Sequence, residues 1–282
     1  FRSLQGYRDE AIQIMKEAFE ASDPADVEDH AWYLTQLGIM SFDSGKTGDA
    51  ESYFKQSLEI YPSSYNALAG LAKVKYAKGN ADEAIKLYQK AMDIVPMPEF
   101  AASLGDIYTA QNRMEEAAKQ YELVEYIGLL SELNQEIYNR QIAMFFADHD
   151  RKLDEALRLV QNEIKIRKDV YGYDALAWCL YKNGKTKEAL NAMQKALSMK
   201  TKDAKLFYHA GMIYAAANQN VKAVSFLKKA LDLQPHFHPI YSIKARNFIQ
   251  FSLLALSQPS PEDSVHTTQD NVRTDPSHSM VN

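Results

Sequence analysis

Residues 71–96 read LAKVKYAKGNADEAIKLYQKAMDIVP, and two other stretches follow the same plan. They are LGIMSFDSGKTGDAESYFKQSLEIYP at 37–62 and AGMIYAAANQNVKAVSFLKKALDLQP at 210–235. Each has an apolar segment, a turn, a second apolar segment with a central alanine and a final proline. Because the apolar residues recur at intervals of three and four, each stretch predicts two amphipathic helices joined by a short turn.

Small residues recur at fixed intervals along the whole chain. One series has steps of 34, 33, 39, 33 and 34 residues, and a second series, all alanine, follows it by 12 residues each time. The first series is Gly38, Ala72, Gly105, Met144, Ala177 and Gly211, and the second is Ala50, Ala84, Ala117, Ala156, Ala189 and Ala223. Small side chains let two helices approach closely, so these positions predict where the helices of each hairpin cross. Met144 and the longer step predict a distorted repeat, or a joint between two sub-arrays, around 131–168.

The turns and the ends of the hairpins also have recognisable residues. Prolines 62, 96 and 235 each follow the alanine of their repeat by 12 residues, and proline ends a helix because it lacks an N–H. The turn between the two helices is predicted at residues that tolerate a left-handed backbone, namely Gly45, Gly79, Asn112, Gly184 and Asn218.

This pattern resembles the tetratricopeptide repeat family over roughly residues 5–236, and the repeat signature is specific. The resemblance implies an all-α fold, a right-handed superhelical solenoid of helix–turn–helix hairpins with a C-terminal capping helix. The C-terminal half, with KDVYGYDALAWCLYKNGKTKEAL at 168–190, also resembles bacterial tetratricopeptide proteins that are exported or lipid-anchored and have no defined activity.

The expected organisation has six parts. Residues 1–30 form the second helix of a partial repeat, 31–130 three hairpins, 131–170 a divergent hairpin, 171–238 two hairpins, 239–256 the capping helix and 257–282 a disordered tail. Because the first helix of the opening hairpin is missing and the chain does not begin with methionine, we expect the natural protein to extend upstream. The compartment stays open: cytoplasmic or, if a leader is missing, periplasmic or otherwise extracytoplasmic.

Charge is distributed unevenly. Residues 1–150 carry 13 Lys/Arg and 25 Asp/Glu, whereas residues 151–250 carry 18 and 8. Such a field can orient a charged partner, although solvated helix faces would look the same. The single cysteine, Cys179, lies in an apolar helical run and is expected to be a buried hydrophobic residue.

The family binds its partners on the concave face, which the first helix of each hairpin lines. Carried over to this sequence, the expected partner-binding residues are Trp32, Thr35, Ile39, Phe42, Asn66, Lys73, Tyr76, Glu99, Asp106, Tyr138, Gln141, Phe145, Tyr171, Asp174, Trp178, Tyr181, Lys205, Tyr208 and Met212. Aromatic residues dominate binding hot spots, so the stripe predicts a peptide groove. The alternative is that these side chains pack against the next hairpin. The family's clamp for a C-terminal carboxylate is not present, because Thr35, Ile39, Ala69 and Lys73 occupy its places.

Sites for chemistry are weakly indicated. The sequence HFH at 236–238 is expected to be a plain loop rather than a metal site, and DHD at 148–150 a solvated capping turn. No nucleotide-binding, hydrolase or zinc-protease motif occurs, so the chain is predicted not to be an enzyme and to need no cofactor or metal. Nucleic acid is disfavoured, because the lysines of 151–250 are spread over two helix faces.

Two functions are therefore compared. The first is an interaction module that binds a protein or peptide in an aromatic-lined concave groove. The second is an envelope-associated assembly scaffold or self-associating spacer, motivated by the charge polarity and the expected upstream extension.

Overall fold

The computed structural model describes residues 2–133 and 139–257. Within these residues the fold is all-α, with no strand, which confirms the predicted fold class. A short 3₁₀ helix at Ser3–Gln5 precedes fourteen α-helices. They are α1 (Arg8–Ala21), α2 (Val27–Asp43), α3 (Thr47–Ile60), α4 (Tyr65–Ala77), α5 (Ala81–Ile94), α6 (Pro98–Ala110), α7 (Met114–Leu133), α8 (Asn139–Asp148), α9 (Leu153–Ile166), α10 (Val170–Lys182), α11 (Thr186–Ser198), α12 (Ala204–Ala216), α13 (Asn220–Leu233) and α14 (Tyr241–Ser257).

Consecutive helices pair as antiparallel hairpins. The pairs are α2 with α3, α4 with α5, α6 with α7, α8 with α9, α10 with α11 and α12 with α13, and α14 packs on α13. Each hairpin rests on the next, so the molecule is a solenoid. The first helices form one wall of it and the second helices the other.

The helix crossings lie at the predicted small residues. The six alanines of the second series are all buried. Gly38 faces the ring of Phe54, and a methyl group added at Gly38 would lie 2.5 Å from that ring. Gly105 and Gly211 face Tyr121 and Leu227 in the same way. The period in the sequence therefore records how closely the two helices of a hairpin approach.

Turns and helix ends also follow the sequence. All five predicted turn residues have a left-handed backbone, with φ between 58° and 86°. Each of α3, α5 and α13 ends two residues before its proline, and the residue between is extended after α5 and α13. The turn between α8 and α9 differs, because two of its residues, Asp150 and Lys152, take positive φ where each other turn has one.

The longer step in the repeat coincides with a longer helix. α7 has 20 residues, whereas α3 and α5 have 14 each. Cys179 is buried, as expected, and burial raises the pKa of its thiol. The predicted tail at 258–282 lies outside the described residues. Among those described, no helix is both long and apolar enough to cross a membrane.

The solenoid curves until its first and last repeats touch. Thr201 Oγ1 donates to the carbonyl of Leu4, and Arg8 donates to the carbonyls of Asp43 and Lys202. Gln234 Nε2 donates to the carbonyl of Phe42. We call this contact, between residues 4–8 and 42–45 on one side and 200–203 and 233–234 on the other, the seam. It closes the concave face into a cavity.

Candidate binding cavity on the concave face

The first helices of the hairpins surround a cavity of about 470 Å³. Most of its wall comes from α4, α6, α8 and α10, and α2, α5, α7 and α12 contribute one residue each. The segment 236–239, which links α13 to α14, lines it as well. The cavity is large enough for one or two amino-acid side chains together with their backbone.

Asp106 is the centre of one polar cluster in the wall. Its Oδ1 lies 2.8 Å from His149 Nε2 and accepts a hydrogen bond from the Tyr121 hydroxyl at 3.0 Å. Its Oδ2 lies 3.1 Å from His238 Nε2. Burial disfavours the charged carboxylate, but the two imidazoles outweigh it and hold the pKa of Asp106 well below its usual range.

The geometry fixes the protonation of both imidazoles. His149 Nδ1 lies 2.8 Å from the Phe145 carbonyl and Nε2 faces a carboxylate, and both of these groups only accept. Both nitrogens of His149 therefore donate, and the ring is an imidazolium. Burial opposes this charge, but Asp106 raises the pKa of His149 nonetheless. His238 Nδ1 instead accepts from the backbone N–H of Ile240, which leaves Nε2 to donate to Asp106.

Asp148 is the centre of a second cluster. Its carboxylate accepts a hydrogen bond from Trp178 Nε1 at 2.7 Å and pairs with Lys205 Nζ at 2.8 Å. Burial works against the charge, yet Lys205 and the neighbouring histidines lower the pKa of Asp148 to about 2. This pair joins the end of α8 to the start of α12.

A third carboxylate, Asp174 on α10, contacts the Nδ1 of His209 at 2.9 Å. The His209 ring stacks on Trp178 with 4.1 Å between centroids and is completely buried. The three buried carboxylates of the wall therefore each have a cationic or imidazole partner from a different helix or loop.

The predicted partner-binding residues divide into two groups. Those that line the cavity are Phe42, Lys73, Tyr76, Glu99, Asp106, Gln141, Phe145, Tyr171, Asp174 and Lys205. Those outside its lining are Trp32, Thr35, Ile39, Asn66, Trp178, Tyr181, Tyr208 and Met212, and Tyr138 lies outside the described residues.

Burial explains why several of the second group are not accessible. Thr35 bonds Ser57 Oγ at 2.8 Å beneath the surface. Trp178 and Tyr208 are only 2% and 1% exposed, because they pack against His209 and Tyr241. Trp32, by contrast, is 47% exposed but points elsewhere than into the cavity.

One expectation about local sequence is wrong: the DHD turn is not simply solvated, since Asp148 and His149 are directed inward and only Asp150 is exposed. The HFH segment is a loop, as expected, but its side chains make contacts, since Phe237 packs on Tyr208 and His238 reaches Asp106. The partners of both segments come from distant repeats, so no local sequence pattern could have predicted these contacts. Among the described residues, no cluster of His, Cys, Asp and Glu suited to a metal ion occurs.

Comparison with known proteins agrees with the repeat. Two segments, 41–105 and 175–236, match family models described as tetratricopeptide repeat. The chain is a tetratricopeptide repeat protein. Arrays of this family offer extended concave binding surfaces, and the repeats place this chain among protein–protein interaction modules.

Individual relatives are distant. A protein O-mannosyl-transferase of Homo sapiens is 23% identical over 73% of this chain and 23% of its own length. A TPR repeat-containing protein of Methanocaldococcus jannaschii is 22% identical over 81% of this chain and 42% of its own length. The chain thus spans less than half the length of these curated relatives.

A solved structure supports the fold. The crystal structure of the APC/C hetero-tetramer Cut9–Hcn1 aligns with a TM-score of 0.50 and 17% identity, over 89% of this chain and 47% of that one. At this identity the likeness concerns the tetratricopeptide fold alone.

Proposed function

We propose that this tetratricopeptide protein binds a protein partner by taking a short segment of it into the concave cavity. The observation that carries the proposal is the cavity itself, of about 470 Å³, at the place where the first helices converge. Aromatic and charged side chains share its wall, a combination that gives contact area and orientation together.

The proposed site contains fewer aromatic residues than the set expected from the sequence. Tyr76 and Tyr171 line the cavity and are accessible to a ligand, and Phe42 and Phe145 line it from more buried positions. Trp178 and Tyr208 would act indirectly, by holding α10 and α12 in place. Replacing them tests folding rather than binding.

A displayed random peptide library, selected on the folded chain, tests the proposal. Affinity of the selected peptides is measured by fluorescence anisotropy for wild type, Tyr76→Ala and Tyr126→Ala. Tyr126 is the matched control, because it is 58% exposed on α7 and does not line the cavity.

We expect Tyr76→Ala to weaken binding at least tenfold and Tyr126→Ala to leave it unchanged. Thermal melts of all three proteins establish that the array is intact. Selected peptides that bind Tyr76→Ala as tightly as wild type would contradict a site in the cavity.

A further inference from the structure

Most charged groups in the cavity wall are already paired with another group of the protein. Asp106 is paired with His149 and His238, Asp148 with Lys205, and Asp174 with His209. Arg140 lies 3.4 Å from Glu163 and 3.6 Å from Asp169, on α9 and just before α10. These contacts hold the hairpins together, and the groups that make them already have partners within the protein.

Three charged groups of the wall have no ion pair among the described residues: Glu99, Asp203 and Lys73. Asp203 caps α12 by accepting a hydrogen bond from Leu206 N at 2.8 Å through Oδ1, and its Oδ2 accepts none from the part of the chain that the structure describes. Two carboxylates thus share the cavity with one ammonium group. The part of the wall that is free to interact is acidic.

Burial raises the pKa of Glu99, and the nearby Lys73 opposes this shift. Because the carboxylates of Glu99 and Asp203 outnumber the ammonium group of Lys73 in this part of the wall, a cation placed among them would be favoured.

The accessible rings of the cavity suit the same ligand. Tyr76 and Tyr171 line the cavity with Glu99 and Asp203, and the face of a tyrosine ring attracts ammonium and guanidinium groups. Among the described cationic groups of the wall, an anionic ligand would find only Lys73 without an ion pair, and it would face at least two carboxylates. The charge complementarity therefore favours a cation.

Resting on the proposed function, we infer that the partner segment places a lysine or arginine side chain in the cavity, where Glu99 and Asp203 bind its cationic group and Tyr76 and Tyr171 cover its stem. The negative charges of Glu99 and Asp203 also orient the approach of such a segment, since opposite charge steers association.

The experiment uses the full chain and the library-selected peptides. The tightest Tyr76-dependent peptide is resynthesised with each basic residue replaced in turn by norleucine, which keeps the stem and removes the charge, or by glutamate. We expect one position at which norleucine weakens binding at least tenfold and glutamate more.

Protein variants provide the complementary test. Glu99→Gln with Asp203→Asn should weaken the basic peptide at least tenfold, and asparagine keeps the helix cap at 203. Lys73→Gln should strengthen it several-fold, because it removes the competing cation. Glu115→Gln is the control and should leave the affinity unchanged, because Glu115 is exposed on α7 and does not line the cavity.

The outcomes separate the two claims. Tyr76-dependent binding of peptides that are neutral or acidic, or that ignore the Glu99 and Asp203 changes, overturns this inference and keeps the proposed function. Absence of any Tyr76-dependent peptide overturns both.

Discussion

The helix crossings inside the hairpins and the concave face are stabilised by different kinds of contact. Where the helices of a hairpin cross, the contact is apolar and close, as between Gly38 and Phe54. On the concave face, Asp106, Asp148 and Asp174 are buried together with histidines and a lysine. The crossing depends on volume and the concave face on charge, so different substitutions disrupt each. The crossing is also internal to one repeat, whereas the charged contacts join different repeats.

The largest effect should come from the concave face. Asp106→Ala would leave His149, His238 and Tyr121 without their shared acceptor, and breaking such a buried pair costs about 3–5 kcal/mol of unfolding free energy. Urea denaturation measures the loss, and Asp93→Ala is the control because Asp93 is exposed at the end of α5. A loss below about 1 kcal/mol for Asp106→Ala would show that the cluster contributes little to stability.

The crossing should be disrupted by one added methyl group. Gly38→Ala would place its Cβ 2.5 Å from the Phe54 ring, and overpacking of this kind costs about 1–3 kcal/mol. Gly48→Ala in α3 is the matched control, because a Cβ there meets no atom within 4 Å.

In the unfolded chain both changes reduce freedom equally, so Gly48→Ala should stabilise the protein by about 0.4–1 kcal/mol. The two melting temperatures should therefore move in opposite directions. A shift of the same sign for both would mean that the crossing can relax around a larger residue.

Acid should weaken the concave face selectively. The pKa of Asp148 is about 2 in the folded protein, against an ordinary 3.8, and this difference corresponds to about 2 kcal/mol. Because the folded pKa is depressed, the contribution is complete above about pH 4 and is lost as the pH falls towards 2.

The comparison of wild type with Asp148→Asn isolates this contribution. Glu51, whose pKa three lysines lower to about 2, titrates in the same range in both proteins and cancels. The stability difference between the two proteins should shrink as the pH falls from 4 to 2. A difference that stays constant over that interval would assign the role of Asp148 to shape rather than charge.

The smallest change in stability is expected at the seam. Arg8→Ala removes side-chain hydrogen bonds to Asp43 and Lys202, which lie near the surface, and should cost about 1 kcal/mol. Amide hydrogen exchange should accelerate at the start of α12 while that of α4 and α5 stays as in wild type. Arg2→Ala, which removes an exposed pair with Glu10 and a contact with the Tyr7 ring but no bond across the seam, is the control. Unchanged exchange in Arg8→Ala would mean that Thr201 and Gln234 hold the seam without it.

The sequence predicts the crossings well because each is repeated. Gly38, Gly105 and Gly211 occupy one place in three hairpins, and the same short-range geometry produces each of them. Turn residues such as Gly79 and Asn218 are predictable for a related reason, since a left-handed backbone strongly restricts the choice of residue.

The concave face is predictable only in part. Assigning the first helices to this face correctly picks out Lys73, Tyr76 and Asp174 as lining residues. It cannot show that His149 and His238 converge on Asp106, 43 residues or more away along the chain. Such contacts depend on how far the solenoid curves, and small rotations per repeat accumulate over six hairpins.

The seam should change how cooperatively this array unfolds. Stacked repeats usually interact only with their neighbours, so their stability is a sum of local terms and unfolding can begin at either end. Here Arg8 and Lys202 are in contact across 194 positions of sequence. That long-range bond couples the first and last hairpins, so partial unfolding at one end removes support from the other. The expected result is a more cooperative, more nearly all-or-none transition and slower folding than an open array of equal length would show.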